Sequence, residues 1–368
     1  MKILIVTKDL DSRGGVAAFF RLFRKYFHAE DLELKFLPVG SRPADYQRRE
    51  HRHWAYFKEL CRDLARFRRV MKDDREIQVV QVNPSLIPVA LFRDALFLLL
   101  AHRYHKRTVV FFHGWRDGAL KFFRRHKVLF FLFQHIFLRS DACFVLAKRF
   151  GEMLISWGLP KKKLHCTTTA YDPELVQPRN AVPPDTPLRL IYLGRISQPK
   201  GVEVLLEALL QFAAERGNFS LDLYGHAADS AFLADMRQKV QQEPRIVFHD
   251  YLDGEEKYRA FSRADVFVLP SFAEGCPTTL LEAGGAGCYL LATPVGAIPE
   301  LLSDSRRGRL TAVGDSAALL QEIRTCANSL PLLRSHFQDN AGYAAEHWTM
   351  PQVVRQFTTV YRMISEKR

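Results

Sequence analysis

The chain has 368 residues, 48% hydrophobic and 25% charged, a globular composition that excludes disordered and collagen-like chains and is long enough for two domains. Its formal net charge of +13 is uneven: residues 1–180 hold 34 Lys and Arg against 18 Asp and Glu, a net +16, whereas residues 181–368 hold 19 against 22, a net −3. The first half is therefore expected to face something anionic, whether nucleic acid, acidic glycan or membrane surface.

The opening apolar run, residues 3–7, enters a glycine-bearing loop and predicts a buried first strand rather than a signal peptide. Further strands are expected at 34–38, 79–82, 108–113, 142–146 and 164–168, with helices over 15–27, much of 45–72, 88–103 and 121–138. This alternation is the pattern of a parallel α/β sheet. The apolar stretch 86–101 is broken by Arg93 and Asp94, and 128–138 is short, so no transmembrane helix is expected. In 45–72, Trp54, Phe57, Leu60, Leu64, Phe67 and Met71 recur at helical spacing, with Arg and Lys between them. Such a basic amphipathic helix suits an anionic membrane surface, or equally a domain helix with one side in the core. The runs KFFRRHK (121–127) and KKK (161–163) would extend the basic patch.

Five prolines, Pro173, Pro178, Pro183, Pro184 and Pro187, mark a linker, after which the pattern restarts. Strands are expected at 188–193, 220–224, 246–248, 266–269 and 289–293, and helices at 202–216, 278–285 and 350–364. The six cysteines are scattered without zinc spacing and read as reduced thiols of a cytoplasmic protein.

The strongest local signal is FAEGCPTTLLEA, residues 272–283. A strand end meets a turn at Gly275, and a helix starts near Pro277, a residue suited to a first turn. The amides of Thr278, Thr279 and Leu280, with the helix dipole behind them, make a pocket for an anion such as a diphosphate. Glu274 precedes that helix and Glu282 lies within it, so the two can reach different parts of one ligand. In RGGVAAF (13–19), Gly14 and Gly15 let backbone approach a ligand at a helix start. His113 ends a buried strand in FFHGW (111–115). The pair Asp9 and Asp11 in DLD reads as a coincidental match to a metal-binding motif.

The string from Glu274 to Glu282 resembles the E-x7-E segment of glycosyltransferase family 4, the large retaining family with the GT-B fold. IYLGRISQPKGVEVLLEAL (191–209), DLYGHA (222–227), residues 248–271 and TPVGAIPELL (293–302) follow that family's order and spacing. The resemblance implies two Rossmann-like, doubly wound parallel-sheet domains facing across a cleft. Residues 1–180 would form the acceptor side and 181–349 the nucleotide-sugar domain, with the terminal helix 350–366 crossing back to the first. It implies that Glu274 sits by the donor sugar, Glu282 binds the ribose, and Arg195 and Lys200 clamp the diphosphate, where two cations would stabilise the departing charge. His113 falls where the family carries a His near the reaction centre, and Gly275, Cys276 and Pro277 fall in its donor loop. Backbone near 250–252 would face the base. Asp250 stands where the family commonly has Gly, and Gly284, Gly285 and Tyr289 depart from its usual wording.

The expected activity is metal-independent, cofactor-free transfer of a hexose or N-acetylhexosamine from a UDP-sugar, or a GDP-sugar, to a glycan or lipid-linked acceptor. Cell-surface polysaccharide or lipopolysaccharide synthesis, at the cytoplasmic face of the membrane, is the expected setting. The alternatives are a nucleotide-sugar epimerase on the same fold and a basic nucleic-acid binder, the latter without any recognised motif.

Overall fold

The computed structural model describes every residue except 13, 41–51, 85, 87, 116–124, 184, 228 and 367–368. It divides into two compact units, Met1–Thr168 with Val353–Arg368, and Thr169–Gln352. The boundary falls ahead of the proline-rich stretch, because residues 169–187 pack on the second unit.

The first unit is a six-stranded parallel sheet in the order β2-β1-β3-β4-β5-β6. Its strands are β1 (Lys2–Thr7), β2 (Glu33–Pro38), β3 (Ile77–Val82), β4 (Arg107–Phe112), β5 (Ala142–Val145) and β6 (Leu164–Cys166). Between them run α1 (Gly15–Tyr26), α2 (Arg52–Asp73), α3 (Pro88–Arg103), α4 (Lys127–Ile136) and α5 (Lys148–Ser156). Central strands are buried almost throughout because helices cover both faces, which is why they read as continuous apolar runs. Alternation along β4 separates the faces. Phe111 meets Phe19 of α1 at 5.5 Å between ring centroids, whereas Phe112 meets Phe133 of α4 at 6.0 Å. Of the helix expected over 121–138, Lys127–Ile136 is observed as α4 with non-helical His126 ahead of it, and residues 121–124 lie outside the described residues, as do 45–51 of the helix expected over 45–72.

The second unit is a parallel sheet in the order β12-β11-β10-β7-β8-β9. These strands are β7 (Leu188–Leu193), β8 (Phe219–Tyr224), β9 (Ile246–His249), β10 (Val266–Leu269), β11 (Tyr289–Ala292) and β12 (Gly308–Leu310). The helices are α6 (Val202–Ala214), α7 (Ser230–Lys239), α8 (Gly254–Arg263), α9 (Thr278–Gly285), α10 (Ile298–Leu301), α11 (Ser316–Asn328), α12 (Leu330–Ser335) and α13 (Phe337–His347). The chain winds outward from β7 to β9, then returns to β10 on the other side of β7. Strand order therefore reverses between β7 and β10, the kind of position at which open α/β sheets hold ligands.

The last helix, α14 (Met350–Glu366), completes the core of the first unit. Phe357 lies flat on Phe144, with centroids 3.9 Å apart and planes at 5°, and edge-on to Phe23 and Phe111. The Tyr361 hydroxyl donates to the Gln81 side chain, satisfying two buried polar groups, and Arg362 holds Asp31 through two hydrogen bonds of 2.8 and 2.6 Å.

Residues 169–187 are tied to the second unit by Arg179. Its guanidinium donates to the carbonyls of Phe261, Ala264 and Ala286 and lies 3.8 Å over the Phe337 ring. Arg179→Ala leaves three carbonyls without that donor and is expected to cost about 2–4 kcal/mol of unfolding free energy by urea titration. Arg179→Lys, with one ammonium for three carbonyls, should recover less than half of the loss.

Candidate functional site

The reversal point in the second unit brings together the loops after β7 and β10, which hold the residues singled out in the sequence. The Tyr192 hydroxyl, at the buried end of β7, donates to the Arg195 carbonyl at 2.7 Å and fixes the start of the first loop. The loop closes with a short turn, Gln198–Lys200, and Gly201 at φ +69°. A Cβ on Gly201 would lie 2.0 Å from the Pro270 carbonyl oxygen, so only glycine fits where the two loops touch. The Phe272 amide donates to the Pro199 carbonyl at 3.0 Å and completes the splice. A second splice holds the far side. Gly296, at φ +61°, lies under the Glu274 and Gly275 carbonyls, where a Cβ would meet those oxygens at 2.5 and 2.2 Å, and the Ala297 amide donates to Gly275 at 2.7 Å.

Backbone contacts thus set the side chains. Lys200 Nζ donates to Glu274 Oε1 at 2.6 Å, and the Ser271 hydroxyl donates to the same oxygen at 2.7 Å. Both partners of the ion pair are largely shielded, at 18% and 9% side-chain exposure. Screening by water is correspondingly weak. Arg195 is exposed, and no hydrogen bond ties its side chain to this pair.

Helix α9 begins beside them with no side-chain cap. The Leu280 amide turns back to the Pro277 carbonyl at 3.1 Å. The amides of Thr278 and Thr279 precede it, in the part of a helix that has no internal acceptors, and Thr278 and Thr279 are half-buried. Cys276 and Leu280 point their side chains into the fold: the Thr169 hydroxyl donates to the Cys276 carbonyl at 3.1 Å and approaches its sulfur at 3.3 Å. Only the backbone of those two residues can serve a ligand.

Glu282 is buried on α9, and Lys257 of α8 reaches its Oε1 at 2.8 Å while also approaching Asp253 at 3.3 Å. Burial pushes the Glu282 carboxyl above the usual range, and the Lys257 charge opposes that rise. Sequence reasoning missed Lys257 and Ser271. The only available signal for Lys257 was its place one turn after the Asp253 cap, a spacing shared with many surface lysines.

In the first unit, Gly14 adopts φ +128° and Gly15 opens α1, and nothing lies within 4 Å of a Cβ placed on either. His113 packs at 4.9 Å from the rings of Phe19 and Phe111. Its Nε2 is shut off from solvent and has no hydrogen-bond partner among the described residues. That burial lowers its pKa to about 4, so the ring is neutral at neutral pH. Asp9 and Asp11 form a turn in which Asp9 Oδ1 accepts from the Asp11 amide at 3.0 Å. Among the described residues no group of three or more His, Cys, Asp or Glu could hold a metal ion, and no helix is long and apolar enough to cross a membrane.

Residues 187–329 match the family model described as glycosyl transferases group 1. The amylovoran biosynthesis glycosyltransferase AmsK of Erwinia amylovora is 26% identical over 219 residues, 58% of this chain and 53% of AmsK. The chain thus spans about half the length of the curated relatives it matches. Among solved structures, sucrose-phosphate synthase from Thermosynechococcus elongatus superposes with a TM-score of 0.78 at 16% identity, covering 100% of both chains. HepE of Anabaena in complex with UDP does so with a TM-score of 0.71 at 14% identity, covering 99% of this chain and 100% of HepE. At those identities the superpositions establish the fold, the GT-B arrangement of two parallel six-stranded sheets. The chain thus has the GT-B fold throughout, and residues 187–329, within its second unit, match the glycosyl transferases group 1 family.

Proposed function

We propose that the chain is a retaining glycosyltransferase that moves a hexose or N-acetylhexosamine from a nucleotide diphosphate sugar to a glycan or lipid-linked acceptor. The observation that carries this reading is the shielded Lys200–Glu274 pair beside the uncapped start of α9. A diphosphate laid on the Thr278 and Thr279 amides would meet the helix dipole and the Lys200 ammonium together, with Arg195 as a second cation from the loop. Charge that builds on the departing diphosphate would be met without a metal ion. Glu274 would face the donor hexose and Glu282 the ribose hydroxyls. In the first unit, the neutral His113 ring and the backbone of Gly14 and Gly15 are the groups we assign to the ligand.

A uridine nucleotide is favoured because HepE, which shares the fold, binds UDP. A role in cell-surface polysaccharide or lipopolysaccharide assembly is favoured by the name of AmsK. Attack would occur on the face the diphosphate leaves, with a phosphate oxygen taking the acceptor proton, so that the anomeric configuration is kept.

Incubation with UDP-, GDP-, ADP- and TDP-sugars, with and without polyprenyl-linked glycans, should give acceptor-dependent nucleotide release. Release without an acceptor, or interconversion of the donor, would support an epimerase instead. Lys200→Ala and Glu274→Ala should each lower turnover by about 10²–10³-fold in protein that still folds and melts cooperatively. Rates near wild type would remove both residues from the site.

Lys257→Met gives a pH-dependent test of Glu282. A carboxyl whose folded pKa lies above its unfolded value stabilises the fold at low pH and loses that contribution as pH rises through the folded pKa. Removing the ammonium lifts that pKa further, so the melting deficit of the variant should grow as pH rises above the usual carboxylate range. UDP should bind about tenfold more weakly to the variant on the acidic side of that titration, where the carboxyl is protonated. Lys257→Arg should restore both, and a deficit that does not change with pH would show that Glu282 is not the group responsible.

A further inference from the structure

The sequence leaves α2 equally a membrane-facing helix or a domain helix, and the structure buries most of its apolar stripe. Leu60, Phe67 and Met71 are core, with Phe67 packed at 5.2 Å on Phe97 of α3. Helix α2 shows Lys58, Arg68, Arg69 and Lys72 to solvent, together with Phe57 at 56% exposure. More exposed apolar surface lies on its neighbours. On α4, Val128 is 73% and Phe131 55% exposed, with Leu129 and Leu132 beside them. On α3, Phe92 is 60% exposed, with Val89 and Leu99 on the same side of the helix. Single exposed apolar residues are ordinary, but a continuous set on touching helices is not. Helix α2 packs on α3, and α3 packs on α4. The Tyr56 hydroxyl donates to the Val89 carbonyl at 3.0 Å and fixes the first of these junctions. The apolar ridge therefore runs beside a cationic helix, and exposed Arg125 and Lys127 stand at its other end.

We propose that this face, the α3–α4 ridge with the basic side of α2, docks on an anionic lipid surface. The ridge would enter the boundary between headgroups and acyl chains, while the Lys and Arg side chains meet anionic headgroups. One surface then satisfies both chemistries. Nucleic acid would engage the cations and leave Phe131 and Phe92 in water. A second copy of the chain would cover the ridge but set like charges against each other, in a half that carries a net +16 over residues 1–180. This inference is independent of the donor chemistry, and its test needs no transferase activity.

The full chain is sedimented with phosphatidylcholine vesicles, with and without phosphatidylglycerol. The wild type should bind the anionic vesicles, and high salt should weaken binding. Phe131→Ser/Leu132→Ser should reduce the partition coefficient about tenfold or more without lowering the melting temperature, because both side chains already face solvent. Arg68→Glu/Arg69→Glu should reduce it similarly and flatten the salt dependence. The proposal fails if the wild type ignores phosphatidylglycerol vesicles or if the ridge variant binds them equally well. It also fails if gel filtration shows a wild-type dimer that the ridge substitutions convert to monomer, since the occupant would then be a second copy.

Discussion

Two glycines with no room for a side chain hold the candidate site together. Gly201 lies against the Pro270 carbonyl, and Gly296 lies under those of Glu274 and Gly275. Each contact joins loops that belong to different strands and are distant in sequence. The sheet order supplies the reason the first pair meet, because β7 and β10 are neighbours although α6, β8, α7, β9 and α8 lie between them in the chain. Placement of the charged side chains is therefore a backbone property. A methyl group at either glycine would push the loops apart before any charge was altered.

Once so placed, the charges are held in unusual company. Lys200 with Glu274, and Lys257 with Glu282, are two ion pairs with little exposure to water, one on each side of the start of α9. Shielded pairs contribute little net stability, since desolvation offsets most of the attraction. Their worth is better sought in readiness. Each is pre-oriented and poorly hydrated, so an incoming anionic ligand would find charge already stripped of solvent. Ser271 and Asp253 supply the remaining hydrogen bonds that keep such pairs ordered.

Much of this was legible in the sequence where a single residue type has a single physical job. The continuous apolar runs of β1, β4, β7 and β10 could only be strands covered on both faces, and Pro277 after Gly275 could only open a helix. Glu274 and Glu282 stood out because the string that holds them resembles the E-x7-E segment of glycosyltransferase family 4. Lys257 and Ser271 were not legible, because their importance lies in which neighbour the fold brings to them. The reading of α2 shows the same limit. Helical spacing marks an apolar stripe, but whether it meets water or protein depends on α3, and here Phe97 covers it. Short helices such as α5, α7 and α8 were missed for a different reason. Gly151 interrupts α5, yet it is the one residue that lets the helix close onto Leu164.

The last helix carries a consequence for the order in which the molecule is made. Phe144, Phe111 and Phe23 are sealed only when Phe357 arrives, so the first sheet emerging from a ribosome keeps one aromatic face open while nearly two hundred more residues are added. The second unit, complete at Gln352, has every strand and helix it needs before then. Synthesis runs from the first unit to the second, whereas completion runs the other way. The half translated first is the one that depends longest on protection from premature association.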